Sequence, residues 1–228
     1  MASLSTRGRL AAGVTLLALG TGYATAAAQA PTQPGAPSAT GAAAGGIDNL
    51  TAIARKRYAT EVHGGVAIGT LRRVARDPTL RRTLQSGNLS AARTYARQTY
   101  PAVWYHWHVS RMRIVKGSQV LLDAGVPFVV APSHMTLRAS GGQPLGTLEV
   151  SIQDVIGFVR FMHRNYPVDV VVRGQGTAHV RSSLPAAAQA TLPSRGTVTL
   201  AGRRYLVRSF HQSALGNEPV TVWVLAKG

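Results

Sequence analysis

The spacing of apolar residues changes near Pro101 from a helical to an alternating pattern. Between Ile47 and Val74, apolar residues recur at intervals that are compatible with one face of a helix. Asp48 or Asn49 is placed to cap the first turn, because short polar side chains accept hydrogen bonds from free backbone N–H groups. The pattern therefore predicts a long N-terminal helix that begins near Ile47.

A second helical unit follows in the segment RDPTLRRTLQSGNLSAARTYARQTYP. Asp77 is a suitable N-cap, and Pro78 behind it favours the first turn of a helix. Gly87 and Asn88 are expected to end this short helix, after which another helix runs to about Gln98. The segment predicts two short helices ahead of the strands.

Alternating segments then occur in pairs that turn residues separate. HVSRMRIV pairs with QVLLDAG, and HMTLRAS pairs with PLGTLEVSIQ, so that each pair predicts a hairpin. Asp154 is placed to cap a helix in DVIGFVRFMHRN, and VDVVVRG predicts the next strand. A late hairpin in GTVTLAGRRYLVRSF and a closing strand in PVTVWVLAKG complete an α+β domain, which we expect to be built on one antiparallel sheet.

Composition excludes several kinds of chemistry. The 228 residues contain no cysteine, which rules out disulfides, thiolate zinc sites, iron–sulfur clusters and cysteine nucleophiles. The 25 lysines and arginines against 8 acidic residues give a formal charge of +17, which favours anionic partners. The length predicts one domain.

The N-terminal segment is typical of export. Arg7 and Arg9 precede an apolar run from Leu10 to Leu19 and then small residues, which predicts a signal peptide over residues 1–30. An uncleaved membrane anchor is the alternative interpretation, whereas a lipoprotein is excluded because it would need a cysteine. Residues 31–46 are rich in Pro, Ala and Gly and predict a flexible linker. We therefore expect a secreted protein with one folded domain over residues 47–228.

The element order resembles that of a known family. The long helix, the DPTLRRTLQSGN segment, the VSRMRIVKGSQVLLDAG hairpin, LGTLEVSIQD before a helix and the late GRRYLVRSF hairpin resemble an extracellular Cache domain of the PAS-like PDC sensor group. The resemblance implies a central antiparallel sheet with the long helix packed on one face and a small-molecule pocket on the opposite side. It also implies a sensory role. Because no output module follows Val224, we expect a single-domain secreted form that acts with a separate membrane receptor or sensor kinase.

The segment VWYHWHVSRMRIV concentrates the candidate binding residues. If it is a strand from His106 onward, His106 and His108 share one face, and Arg111 and Arg113 share the other. Arginine recognises carboxylates through paired hydrogen bonds, and aromatic residues form apolar walls with polar tips. A small anionic or carboxylate ligand is therefore expected, without a cofactor. The candidate ligand-binding residues are Trp104, Tyr105, Trp107, His108, Arg111, Arg113 and His134.

Other interpretations of the same residues remain open. His106 and His108 would form a zinc site only with further ligands such as His134 or His211. The aromatic residues would, alternatively, only fill the core. No Gly-x-Ser-x-Gly turn, P-loop or Rossmann spacing occurs, so we expect no catalytic residue. The spread basic charge favours an alternative function as a cell-surface protein that binds envelope polyanions nonspecifically, without specific nucleic-acid recognition.

Overall fold

A computed structural model describes residues 39–101 and 104–228, and side chains for 45–101 and 106–228. The predicted signal peptide lies outside the described residues. None of the described helices is both long and apolar enough to span a membrane. The helices are α1 (Ala39–Val62), α2 (Gly65–Ala75), α3 (Pro78–Gln85), α4 (Leu89–Thr99), α5 (Trp104–Trp107) and α6 (Val155–Asn165).

The described strands are all paired in antiparallel fashion. They are β1 (Arg111–Lys116), β2 (Gln119–Gly125), β3 (Val129–Val130), β4 (Ser133–Arg138), β5 (Pro144–Ser151), β6 (Gln153–Asp154), β7 (Val168–Arg173), β8 (Val180–Ser182), β9 (Arg195–Leu200), β10 (Arg203–Ser213) and β11 (Pro219–Lys227). A first sheet has the order β2-β1-β5-β4, and a second sheet has the order β8-β7-β11-β10-β9. Strands β3 and β6 form a separate short pair.

The α+β class and the antiparallel pairing are confirmed, but the strands belong to two larger sheets rather than one. Each predicted hairpin is present: β1 with β2, β4 with β5, and β9 with β10. Pairing beyond the hairpins divides the strands into two sheets, because β5 pairs with β1 whereas β7 pairs with β11. Side-chain alternation sets which face of a strand is buried, but it does not specify which strands are neighbours.

Helices α2, α3 and α4 cover one face of the first sheet. Leu71, Leu80 and Ala96 from these helices are fully buried against Ile114 and Leu148 of the sheet. The predicted cap of α3 is confirmed, since the Asp77 side chain accepts from the backbone N–H groups of the first helical turn. This packing leaves the opposite face of the first sheet for polar side chains.

Helices α1 and α6 cover one face of the second sheet. Tyr58 of α1 and Phe158 of α6 are buried together, with ring centroids 5.9 Å apart in an edge-on arrangement. The long N-terminal helix on one face of a sheet is thus confirmed. Its first residue, however, is Ala39, so the prediction of a linker through residue 46 is wrong for residues 39–46, while 31–38 lie outside the described residues. Four of the eight residues from 39 to 46 are alanine, which has the highest helix propensity.

Candidate functional site

A row of polar residues crosses the outer face of the first sheet. His134 on β4 is in register with Glu149 on β5, Glu149 with Arg113 on β1, and Arg113 with Asp123 on β2. Successive side chains of a strand point to opposite faces, so these four residues lie opposite the apolar residues that pack on the helices. The alternation that builds the core therefore also builds this row.

The two arginines of this face have acidic partners within the chain. Arg111 Nε lies 2.8 Å from Asp123 Oδ1, and Arg113 lies 3.7 Å from Asp123 and 3.5 Å from Glu149 Oε2. All four side chains are partly exposed, so each pair adds little to stability. The pairs do orient both guanidinium groups along the sheet.

The turn between β10 and β11 approaches the same row. Leu215–Asn217 form a short 3-10 turn in which Gly216 and Asn217 have φ values of 76° and 62°, a region that glycine and asparagine adopt most readily. The Gly216 backbone N–H donates to Glu149 Oε2 at 2.9 Å. A Cβ atom at Gly216 would lie 3.3 Å from Arg113 Nη1, so a side chain there would crowd the guanidinium group. The Glu149 carboxylate is therefore held in place by two groups, the Gly216 backbone N–H of the turn and the Arg113 guanidinium group of β1.

A cavity of about 430 Å³ lies between α1, the polar row and this turn. The Tyr58 hydroxyl at its α1 side donates to the backbone carbonyl of Ser213. Burial raises the pKa of Tyr58 to about 12, so the hydroxyl stays neutral at physiological pH. The polar and ionisable side chains that line the cavity come from α1, β4, β5, β10 and the β10–β11 turn. They are Tyr58, His134, Thr147, Glu149, Gln212, Ser213 and Asn217.

His134 and Glu149 line the cavity, and both retain free hydrogen-bonding capacity within the described part of the chain. The exposed His134 ring makes no hydrogen bond there, and Glu149 uses only its Oε2 atom. Glu149 Oε1 can accept from an ammonium, amide or hydroxyl group, and the imidazole of His134 can donate or accept. The cavity is therefore suited to a small ligand with several polar groups.

The prediction that His106 and His108 share a strand face is wrong. Residues 104–107 form the short helix α5, His108 has a positive φ of 52°, and β1 begins only at Arg111. Trp107 packs against the core beneath α2, with its ring 6.4 Å from that of Tyr100. Burying this tryptophan favours a helical turn after Pro101 over an extended strand.

The structure separates the predicted binding residues into two groups. Trp107 and His108 lie on the helical side of the first sheet, where both line a small surface pocket. Arg111, Arg113 and His134 belong to the opposite side, although only His134 lines the 430 Å³ cavity. The side chains of Trp104 and Tyr105 lie outside the described residues.

Sequence reasoning did not find Tyr58, Glu149, Gln212 and Asn217. Alternation in TLEVS places Glu149 on the outer face of β5 and could have suggested it. The other three depend on how α1 and the β10–β11 turn meet the first sheet, which no local pattern encodes. For the zinc alternative, the residues that the structure describes include no group of three or more histidine or acidic side chains that could hold a metal ion.

No family model matches the sequence, and no curated protein matches it. Its fold is similar to the periplasmic domain of Vibrio cholerae LuxQ, at 12% identity and a TM-score of 0.48 over 80% of this chain and 98% of that one. It is also similar to the sensor domain of the V. cholerae histidine kinase DctB, at 10% identity and a TM-score of 0.47 over 81% and 98%. The ligand-binding domain of the Pseudomonas fluorescens chemoreceptor CtaA, solved with L-alanine, shares 9% identity and a TM-score of 0.42 over 81% and 97%. The three matched chains are a periplasmic domain, a sensor domain and a ligand-binding domain.

Proposed function

We propose that this protein is an extracellular sensory-type domain that binds a small molecule in the cavity on the outer face of the first sheet. The observation that supports this is the convergence of polar groups from α1, β4 and β5, and the β10–β11 turn on one cavity of about 430 Å³. Small-molecule sites are commonly concave and contain a few fixed polar groups. The proposal contains no catalytic step.

The ligand that we propose carries a hydrogen-bond donor for Glu149 and further polar groups for His134 and Asn217. The sequence favoured a carboxylate held by Arg111 or Arg113, but both arginines are engaged by acidic side chains and neither lines the cavity. Glu149 supplies an acceptor that is only partly neutralised by Arg113, whose Nη1 atom is 3.5 Å away. A small amine or a zwitterion fits this arrangement better than a plain dicarboxylate.

The position of the cavity suggests a route by which ligand binding affects other parts of the domain. A ligand there would touch Tyr58 on α1 and the turn of the second sheet at Asn217. We further propose that residues 1–30 direct export, that residues 47–228 act as one sensory domain, and that this domain presents its ligand to a separate membrane receptor or sensor kinase.

A thermal-shift screen of amines, amino acids and organic acids on residues 31–228 tests the proposal. A ligand at 100 times its Kd stabilises the folded state by about 2.7 kcal/mol, which corresponds to a rise in Tm of roughly 5 to 10 °C for a domain of this size. We expect Glu149→Gln to abolish the shift. The matched control is Asp123→Asn, which also removes a carboxylate partner of Arg113 but lies outside the cavity lining.

The same screen distinguishes the two ligand chemistries. If Arg111→Ala abolishes the shift while Glu149→Gln keeps it, the carboxylate interpretation from the sequence is correct and the cavity proposal is wrong. The cavity proposal also fails if Asp123→Asn and Glu149→Gln weaken the shift equally, or if no compound produces one.

A further inference from the structure

A groove lined by arginines lies on the helical side of the first sheet, opposite the cavity. It has a volume of about 730 Å³ and lies where the end of α2, the start of α3 and the last turns of α4 meet. We call it the arginine groove, and its principal lining side chains are Arg72, Arg73, Arg76, Tyr95, Thr99 and Trp107. The first sheet lies between the groove and the cavity because α2, α3 and α4 pack on the buried face of that sheet.

The three arginines of the groove are exposed and lack acidic partners. Across the part of the chain that the structure describes, none of Arg72, Arg73 and Arg76 forms an ion pair or a side-chain hydrogen bond. Arg73 is instead placed over the indole of Trp107, with its Cζ atom 4.8 Å from the ring centroid. In the groove, therefore, three guanidinium groups retain all their N–H donors, whereas Arg111 has its carboxylate partner in Asp123 at 2.8 Å.

The single carboxylate of the groove has all its acceptor sites directed at donors of the protein. Asp77 Oδ1 accepts from the backbone N–H groups of Thr79 at 2.9 Å and Leu80 at 3.0 Å. Asp77 Oδ2 accepts from the hydroxyls of Tyr95 at 2.8 Å and Tyr100 at 2.9 Å. These four hydrogen-bond donors stabilise the Asp77 carboxylate. Asp77 therefore forms part of the groove wall without pairing with the three arginines.

We propose that the arginine groove binds a polyvalent oxyanion, meaning a ligand with two or more phosphate or sulfate groups. Guanidinium groups recognise such oxyanions through paired N–H donors, and an Arg is preferred over Lys where planar, bidentate contact is needed. Arg72 lies in the last turn of α2 and Arg76 is the C-cap residue four positions later, so both side chains lie on the same side of this helix end and can reach the same ligand. The groove is open, so a short polyphosphate or a segment of an anionic polymer can occupy it.

Calorimetric titration of the protein with sodium tripolyphosphate and with a heparin oligosaccharide tests the proposal, at about 50 and 300 mM salt. The double substitution Arg72→Gln/Arg76→Gln is compared with Arg203→Gln/Arg204→Gln, which removes the same charge from two exposed arginines at the start of β10. Arg73 is retained because of its contact with Trp107. We expect the groove substitutions to weaken tripolyphosphate binding at least tenfold and the control substitutions to weaken it less than twofold.

The two probes separate the sources of the oxyanion. If tripolyphosphate binds and heparin does not, the ligand is a free small oxyanion. If tripolyphosphate displaces bound heparin, both probes occupy the groove. Each of these two results supports the proposal. Equal losses in the two double variants would mean that diffuse surface charge binds the probes and would overturn it, as would the absence of binding at the lower salt concentration. Glu149→Gln should leave tripolyphosphate binding unchanged, so failure of the cavity proposal does not affect this one.

Discussion

Asp77 offers the sharpest test of how the helical layer is held together. Its carboxylate accepts two backbone N–H groups at the start of α3 and the hydroxyls of Tyr95 and Tyr100. Replacing it with alanine removes all four hydrogen bonds in one step. The tyrosines differ in exposure, because Tyr100 is only 1% exposed whereas Tyr95 is partly exposed.

The magnitude follows from these four contacts. Loss of an N-cap aspartate costs about 1 kcal/mol. The buried hydroxyl of Tyr100 is left without an acceptor, which costs about 1 to 3 kcal/mol, while water can replace the partner of Tyr95 at little cost. We therefore expect Asp77→Ala to lower the free energy of unfolding by about 3 kcal/mol. Asp77→Asn should cost less, because asparagine is also a good N-cap and loses only the interaction with the tyrosines.

Urea unfolding followed by circular dichroism measures these values by linear extrapolation. The double-mutant cycle of Asp77→Ala with Tyr100→Phe should give a coupling free energy of about 1 to 2 kcal/mol, since removing the hydroxyl also removes the unsatisfied donor. Tyr95→Phe serves as the exposed control, with a smaller coupling. A loss below about 1 kcal/mol for Asp77→Ala, or equal couplings for the two tyrosines, would refute the reasoning, because the cap alone accounts for that amount.

Three further outcomes are expected from unfolding measurements. Burial raises the pKa of Tyr58 from 10.0 to about 12, so folding keeps its hydroxyl protonated. This stabilisation is present below pH 10 and should decrease by roughly 2 to 3 kcal/mol as the pH rises through 12. Unfolding measured between pH 9 and 12 should therefore show a smaller loss for Tyr58→Phe than for the wild type, and equal losses would contradict this assignment. Gly125→Ala should lower the free energy of unfolding by more than about 2 kcal/mol, because the φ of Gly125 is 126° and an added Cβ atom would overlap neighbouring backbone. Gly117 has a φ of 57° and lies in open space, so Gly117→Ala should lower it by only about 1 kcal/mol. Equal losses for the two variants would contradict this reasoning. Phe158→Ala should lower the free energy of unfolding by about 3 to 5 kcal/mol, because the side chain is buried. Ile156→Ala, at an exposed position of the same helix, should lower it by less than about 1 kcal/mol. Similar losses for the two variants would show that Phe158 is not part of the core.

Local signals predicted the elements well because their physical cause lies within a few residues. The cap at Asp77 and the helix end at Gly87 depend on backbone groups of the same turn, and alternation in RMRIVK depends only on neighbouring residues. The division into two sheets depends on which hairpin edges meet, which is a long-range choice. The helical turn at Trp107 likewise depends on contact with Tyr100, and aromatic residues alone do not distinguish a strand from a helical turn.

The candidate site was less predictable for the same reason. His134 was found because it lies on a strand of clear alternation, and the structure places it in the cavity. Glu149 was not predicted because it lies far along the chain from the VWYHW segment, and only the fold brings β5 next to β1. Arg111 and Arg113 were correctly placed on one face, but their pairing with Asp123 changes the role that their chemistry suggested.

The use of acidic residues explains why a chain with a formal charge of +17 presents free guanidinium groups. All eight acidic residues lie among the described side chains, and each contacts a basic, hydroxyl or backbone N–H group of the protein. They are Asp48 with Arg208, Glu61 with Arg57, Asp77 with two tyrosines, Asp123 with Arg111, Glu149 with Gly216, Asp154 with Gly157, Asp169 with Ser183, and Glu218 with His179.

Because the acidic residues are engaged in this way, they hold caps, turns and sheet faces in place and leave few carboxylates to neutralise the surface. The exposed arginines of α2 then keep their donors for oxyanions from outside the protein. In the cavity, by contrast, the carboxylate of Glu149 is the only acidic group of the lining. The first sheet thus separates a site suited to a hydrogen-bond donor on one side from a site suited to oxyanions on the other. The two sites should differ in salt dependence: tripolyphosphate binding should weaken steeply between 50 and 300 mM salt, whereas binding of a small polar ligand in the cavity should change little.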